Sequence, residues 1–161
     1  MNQTAANASE VVELQYHYQA TAEQVFEAWS NPEALSQWFG PHSHNCKVEK
    51  FDFKEGGEYQ VRMIPKETDE DPDCHGDTSK DSVCAGSFVQ IQSPNKIAMS
   101  FNWIENGADM GETLLTIEIQ NRDGGADVVL THEKIPDEEL RKAHRGGWQG
   151  TLECLKEYLG R

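Results

Sequence analysis

Basic side chains are scarce. Lysine and arginine number 14 against 28 aspartates and glutamates, leaving a formal charge of −14. Such a surface repels phosphate backbones and anionic lipid, so neither nucleic acid nor a membrane is an expected partner. Long apolar runs are missing as well: no stretch approaches the roughly 18 apolar residues of a membrane span. The opening "MNQTAANASE" has neither the basic nor the apolar region of a secretory leader. The expected setting is the cytoplasm, with residues 1–9 disordered. Cysteines number only 4. That is too few for a disulfide scaffold, so in a reducing compartment they stay thiols or hold metal. No internal repeat divides the chain, and 161 residues suit one domain.

What is present is patterned. "VVELQYHY" alternates as a strand, with Val12, Leu14, Tyr16 and Tyr18 on one face and Glu13, Gln15 and His17 on the other. In "TAEQVFEAW", Thr21 and Gln24 make a capping box ahead of an apolar stripe of Val25, Phe26 and Trp29. "NPEALSQWFGP" repeats the device, with Asn31 as N-cap, Pro32 at the first helical position and Gly40-Pro41 as the stop.

From Cys46 onward the period becomes two. "CKVEKFDF" with "EYQVRMIP", "SVCAGSFVQIQ" with "KIAMSFNWI", and "ETLLTIEIQ" with "ADVVLTHEKI" read as three hairpins. Residues 66–82 form an acidic loop without periodicity, whose carboxylates do not follow the calcium-loop pattern and read as a solubilising tip. Asp137 then caps a long helix, where Leu140, Ala143, His144, Gly147, Trp148, Thr151, Leu152, Leu155 and Leu159 recur at helical spacing.

A sheet with one face to cover and a helix with one stripe to bury pack as α+β layers. The helix carries an oddity. Gly146, Gly147 and Gly150 interrupt "AHRGGWQGTLECL", and each costs about 1 kcal/mol against alanine inside a helix. They either permit close approach of another backbone and leave space beside the helix, or merely fray it. Trp148 among them, a residue type usually buried, favours the first.

Four stretches carry a resemblance: "TAEQVFEAWSNPEALSQWFGP", "FKEGGEYQVRM", "GSFVQIQSPNKIAMSFNW" and "HRGGWQGTLECLKEYL". In order and spacing, from Val11 to Leu159, the chain resembles the START-like (SRPBCC) superfamily. It is most similar to the branch of the C-terminal domain of the activator of heat-shock protein 90 ATPase. The resemblance implies a single helix-grip domain over residues 1–161: a seven-stranded antiparallel sheet curved around the long C-terminal helix, with two short helices after strand one. It further implies an apolar cavity that binds small hydrophobic or amphipathic ligands in many relatives, and no universal catalytic residues. The alternative it implies is a chaperone-associated module that contacts its partner through an exposed sheet face or the 40–46 loop.

The side chains that would wall such a cavity are Tyr59, Val61, Met63, Met99, Phe101 and Trp103 from strands. Trp148, Leu152 and Leu155 face them from the helix, with Trp29, Trp38 and Phe39 near the mouth. The same stripes also suit a filled core. A second constellation is "HSHNC", where an extended backbone would aim His42, His44 and Cys46 to one side, with Cys74 and His75 returning on the acidic loop. Zinc takes such ligands, and a metal-binding sensor is the third reading, although the spacing matches no established zinc motif and also suits a solvated loop with free thiols. For acid–base catalysis the internal candidates are His132, Glu133 and His144, and alternation sends the first two to opposite faces. If there is chemistry, the resemblance implies a cyclase-like reaction inside the cavity, with no cofactor.

Overall fold

A computed structural model describes residues 11–66 and 80–160. The N-terminal residues 1–9, most of the acidic loop, and with it Cys74 and His75, lie outside the described residues.

The chain runs β1 (Val12–Tyr18), α1 (Ala22–Ser30), α2 (Pro32–Leu35), β2 (His44–Phe51), β3 (Glu58–Pro65), β4 (Ser82–Gln92), β5 (Lys96–Glu105), β6 (Thr113–Arg122), β7 (Gly125–Glu133) and α3 (Glu138–Leu159). The helix starts follow the sequence. Thr21 Oγ1 accepts from the Gln24 amide while the Gln24 side chain answers to the Thr21 amide, and Asn31 and Asp137 cap α2 and α3. The second short helix is a single turn.

All seven strands form one antiparallel sheet in the order β1-β7-β6-β5-β4-β3-β2. Strand β1 therefore pairs with the last strand, Leu14 opposite Leu130, which leaves β2 at the far edge. Register shifts interrupt the β2–β3 pairing at Val48/Lys50 and the β4–β5 pairing at both Val83/Cys84 and Phe88/Gln90. Bulges of this kind bend a strand and raise its twist, and here they curl the sheet into a half-barrel. Gly86 lies in the bent stretch so close to the Ser100 carbonyl that any side chain would collide with it.

The curled sheet grips α3. Tyr18 Oη donates to the Leu152 carbonyl at 2.9 Å, and Arg145 donates to the Glu13 carbonyl at 3.1 Å. Ile97, Leu115, Ile117, Leu130, Leu152 and Leu155 have no more than 1% of their surface exposed and form the centre of the core. No helix among the described residues is long and apolar enough to cross a membrane.

Candidate ligand cavity

Between the N-terminal half of α3 and strands β3 to β5 the packing leaves a cavity of about 90 Å³. One water needs roughly 10–15 Å³ of such space, so there is room for a small ring compound. Phe39, Met63, Phe101, Trp103 and Trp148 are the large apolar side chains of the wall. The rings brace one another edge to face: Phe39 with Trp148 at 5.8 Å, Phe101 with Trp148 at 5.8 Å and Phe101 with Trp103 at 5.4 Å between centroids. Such pairing fixes ring positions beyond what burial alone achieves.

Glycines shape both rims. Gly40, at φ +102°, turns the chain in a conformation that L side chains rarely adopt, with the Met63 methyl where its Cβ would be. On the helix, nothing lies within 4 Å of the place where a Cβ on Gly147 would stand, whereas one on Gly150 would meet Pro41 Cβ at 3.3 Å. Both parts of the first explanation of the glycine run therefore hold, at different positions: Gly147 leaves space, and Gly150 admits a neighbour, while the helix runs unbroken through both.

A smaller space of about 20 Å³ lies deeper, lined by Trp29, Tyr59, Val61 and Met99 among others. Phe39 and Phe101 line both spaces. Trp38, Leu152 and Leu155 line neither. Trp38 donates its indole N–H to the Ala28 carbonyl at 3.1 Å, and both leucines are fully buried where α3 meets the sheet without a gap. Their periodicity placed them correctly on the inner face, but only the length of each neighbouring side chain decides whether that face is filled.

The cavity wall also includes Gly40, Pro41, His44, Ser82, Cys84, Gly107 and Thr151, none of them counted as wall from the sequence. Ser82 and Cys84 alternate into the interior in step with Phe88 on β4, a two-residue period that was there to be read. Gly107 lies directly beneath the Trp103 indole, in a loop without periodicity.

The histidines are tied into the framework. Trp148 Nε1 donates to His132 Nδ1 at 3.0 Å, which puts the His132 proton on Nε2, facing Thr113 Oγ1 at 2.7 Å; Thr113 in turn donates to the Phe101 carbonyl. Burial, aided by His144 nearby, lowers the His132 pKa to about 3. Trp103 Nε1 donates to His144 Nε2 at 3.0 Å, and His144 Nδ1 donates to the Leu140 carbonyl at 2.8 Å. His144 is on the cavity wall; His132 sits behind it.

The "HSHNC" side chains do not converge. The chain turns before β2, the His44 amide donating to the Pro41 carbonyl at 3.0 Å, so the extended geometry assumed for His42 does not hold. His42 is exposed beside Glu157, His44 is buried against Ser43 Oγ, and the Cys46 thiol faces the Leu35 and Ser36 carbonyls. Burial pushes that thiol up to about 11, which favours the protonated donor over a metal-binding thiolate. Among the described residues no three histidine, cysteine or carboxylate side chains gather where they would hold a metal ion.

Residues 19–160 match the family model described as Activator of Hsp90 ATPase homolog 1-like protein. The chain belongs to this family. Solved structures with the same fold include proteins from Chromobacterium violaceum (23% identity, TM-score 0.74, 91% of this chain and 95% of that one) and Arthrobacter aurescens (17%, 0.77, 94% and 87%). The AHSA1 protein of Silicibacter pomeroyi matches at 18% identity and TM-score 0.76, over 93% and 97% of the two chains. No curated protein is similar enough to count as a match. For this Hsp90-activator-like chain, the solved structures establish the fold; its chemistry must come from its own cavity.

Proposed function

We propose that the protein binds a small hydrophobic molecule in the cavity under the N-terminal half of α3. The observation that carries this reading is the unfilled space of about 90 Å³, walled by aromatic rings, with a glycine on the helix where a Cβ would meet nothing within 4 Å. An apolar space held open by braced rings carries a standing cost in lost packing contacts, which an occupant would recover. The helix-grip fold of the family supports the same reading. A chaperone contact rests on the family description alone and is the alternative. Native mass spectrometry of the full chain as purified tests the proposal: a retained organic molecule, lost in Gly147→Leu, is the expected result. A wild-type chain that carries no ligand and is not stabilised by any apolar ring compound, yet is captured by the chaperone, would favour the alternative.

A further inference from the structure

The polar groups around the cavity are almost all committed inward. Both indole N–H groups on the wall are spent on histidines, Trp148 on His132 and Trp103 on His144. The Ser82 hydroxyl donates to the Asn106 carbonyl at 2.7 Å and that of Thr151 to the Gly147 carbonyl at 2.8 Å. The two wall imidazoles are engaged as well, His144 with Trp103 and Leu140 and His44 with Ser43. No lysine or arginine is among the described wall residues, and residues 67–79 contain none in sequence. A carboxylate entering this space would lose its hydration and meet no cation, within a protein of formal charge −14.

One donor is different. Trp29 is 2% exposed, and its Nε1 is buried with no hydrogen-bond partner. Buried donors are nearly always paired, and leaving one unpaired is costly. Trp29 lines the inner space of about 20 Å³, which has room for about one polar atom and shares Phe39 and Phe101 with the wall of the main cavity. Resting on the cavity reading above, we propose that the ligand is an uncharged ring compound carrying one hydrogen-bond acceptor, and that this acceptor is received by Trp29 Nε1. The aromatic wall takes the ring, the inner space takes the acceptor, and the missing cation rejects acids.

Three compounds of similar size separate these terms: ethylbenzene, acetophenone and benzoate, each titrated into the full-length protein while the indole N–H resonances are followed by NMR. Benzoate is expected to bind at least tenfold more weakly than acetophenone. Acetophenone, and not ethylbenzene, is expected to move the Trp29 indole signal downfield, identified by its loss in Trp29→Phe. In that variant the affinity ratio of acetophenone to ethylbenzene should fall about tenfold. If the variant fails to fold, the Trp29 indole signal is assigned in the wild type from its through-space contacts to Trp38 and Phe39, and its response decides the matter alone. Benzoate within tenfold of acetophenone, or an indole response equal for ketone and hydrocarbon, would overturn the proposal while leaving the cavity a hydrophobic site. Failure of all three to bind would instead overturn the cavity reading itself.

Discussion

Helix α3 presents one apolar stripe to the sheet, yet its two halves meet different surroundings. From Ala143 to Thr151 it borders open space; at Leu152 and Leu155, in the turn that follows, both side chains have no exposed surface. Periodicity is the same in both halves. What differs is what the stripe carries in each half, a glycine at 147 on its edge in the first and leucines at 152 and 155 in the second, together with the ring scaffold of Phe39, Phe101 and Trp148 that keeps the first half from collapsing. A cavity in this fold is therefore a matter of which stripe positions are left short.

Truncation should separate the halves most sharply. Leu152→Ala removes a fully buried side chain from the sealed half and should cost about 2–5 kcal/mol in chemical denaturation. A cost under 1 kcal/mol would mean that this half is as loosely filled as the other, and the contrast would vanish.

This contrast also marks what was legible in the sequence. Strand alternation, the Thr21–Gln24 capping box, Pro32 after Asn31 and the single stripe of the last helix each arise from local chemistry, and the sheet with its gripped helix follows from them. Membership of the cavity wall does not. Leu152 and Gly147 sit on the same stripe, and the choice between core and cavity depends on Phe39 and Met63, distant in sequence. Ser82 and Cys84 were within reach of counting by twos, being in step with Phe88 along β4, whereas Gly40, Pro41 and Gly107 sit in loops where no period applies. The alignment of His42, His44 and Cys46 failed for a related reason: the backbone turns just where alternation was assumed to hold.

Acid should act through the buried polar framework that braces the open half. In the unfolded chain a histidine takes up its proton near pH 6.5, whereas folded His132 does so only near 3. Between those values the unfolded state binds the extra proton. Stability from this group is thus full above about pH 6.5 and declines as the pH falls toward 3, by roughly 2 kcal/mol at pH 5. His132→Gln keeps one acceptor for Trp148 and one donor for Thr113 but does not titrate. Urea midpoints measured at pH 7 and pH 5 should therefore lie closer together in His132→Gln than in the wild type. Equal pH dependence in the two proteins would remove His132 from the account.

Filling the open half should cost binding rather than stability. Gly147→Leu places a side chain where nothing stands within 4 Å of the new Cβ, and should weaken ethylbenzene binding at least tenfold without lowering the melting temperature. Undiminished binding in that variant would put the ligand elsewhere.

The finest test changes one methyl group at each of two glycines three residues apart. Both lie inside α3, so alanine at either gains about 1 kcal/mol in intrinsic helix preference. At Gly147 the added methyl enters empty space, and the gain should appear almost whole, as a rise in the urea midpoint. At Gly150 the methyl comes to 3.3 Å from Pro41 Cβ, closer than ordinary contact, so the neighbouring chain must give way and the gain is largely offset. Gly147→Ala should therefore be more stable than Gly150→Ala by several tenths of a kcal/mol. The reverse order would mean that the glycine facing the cavity is needed for packing, and the one touching Pro41 is not.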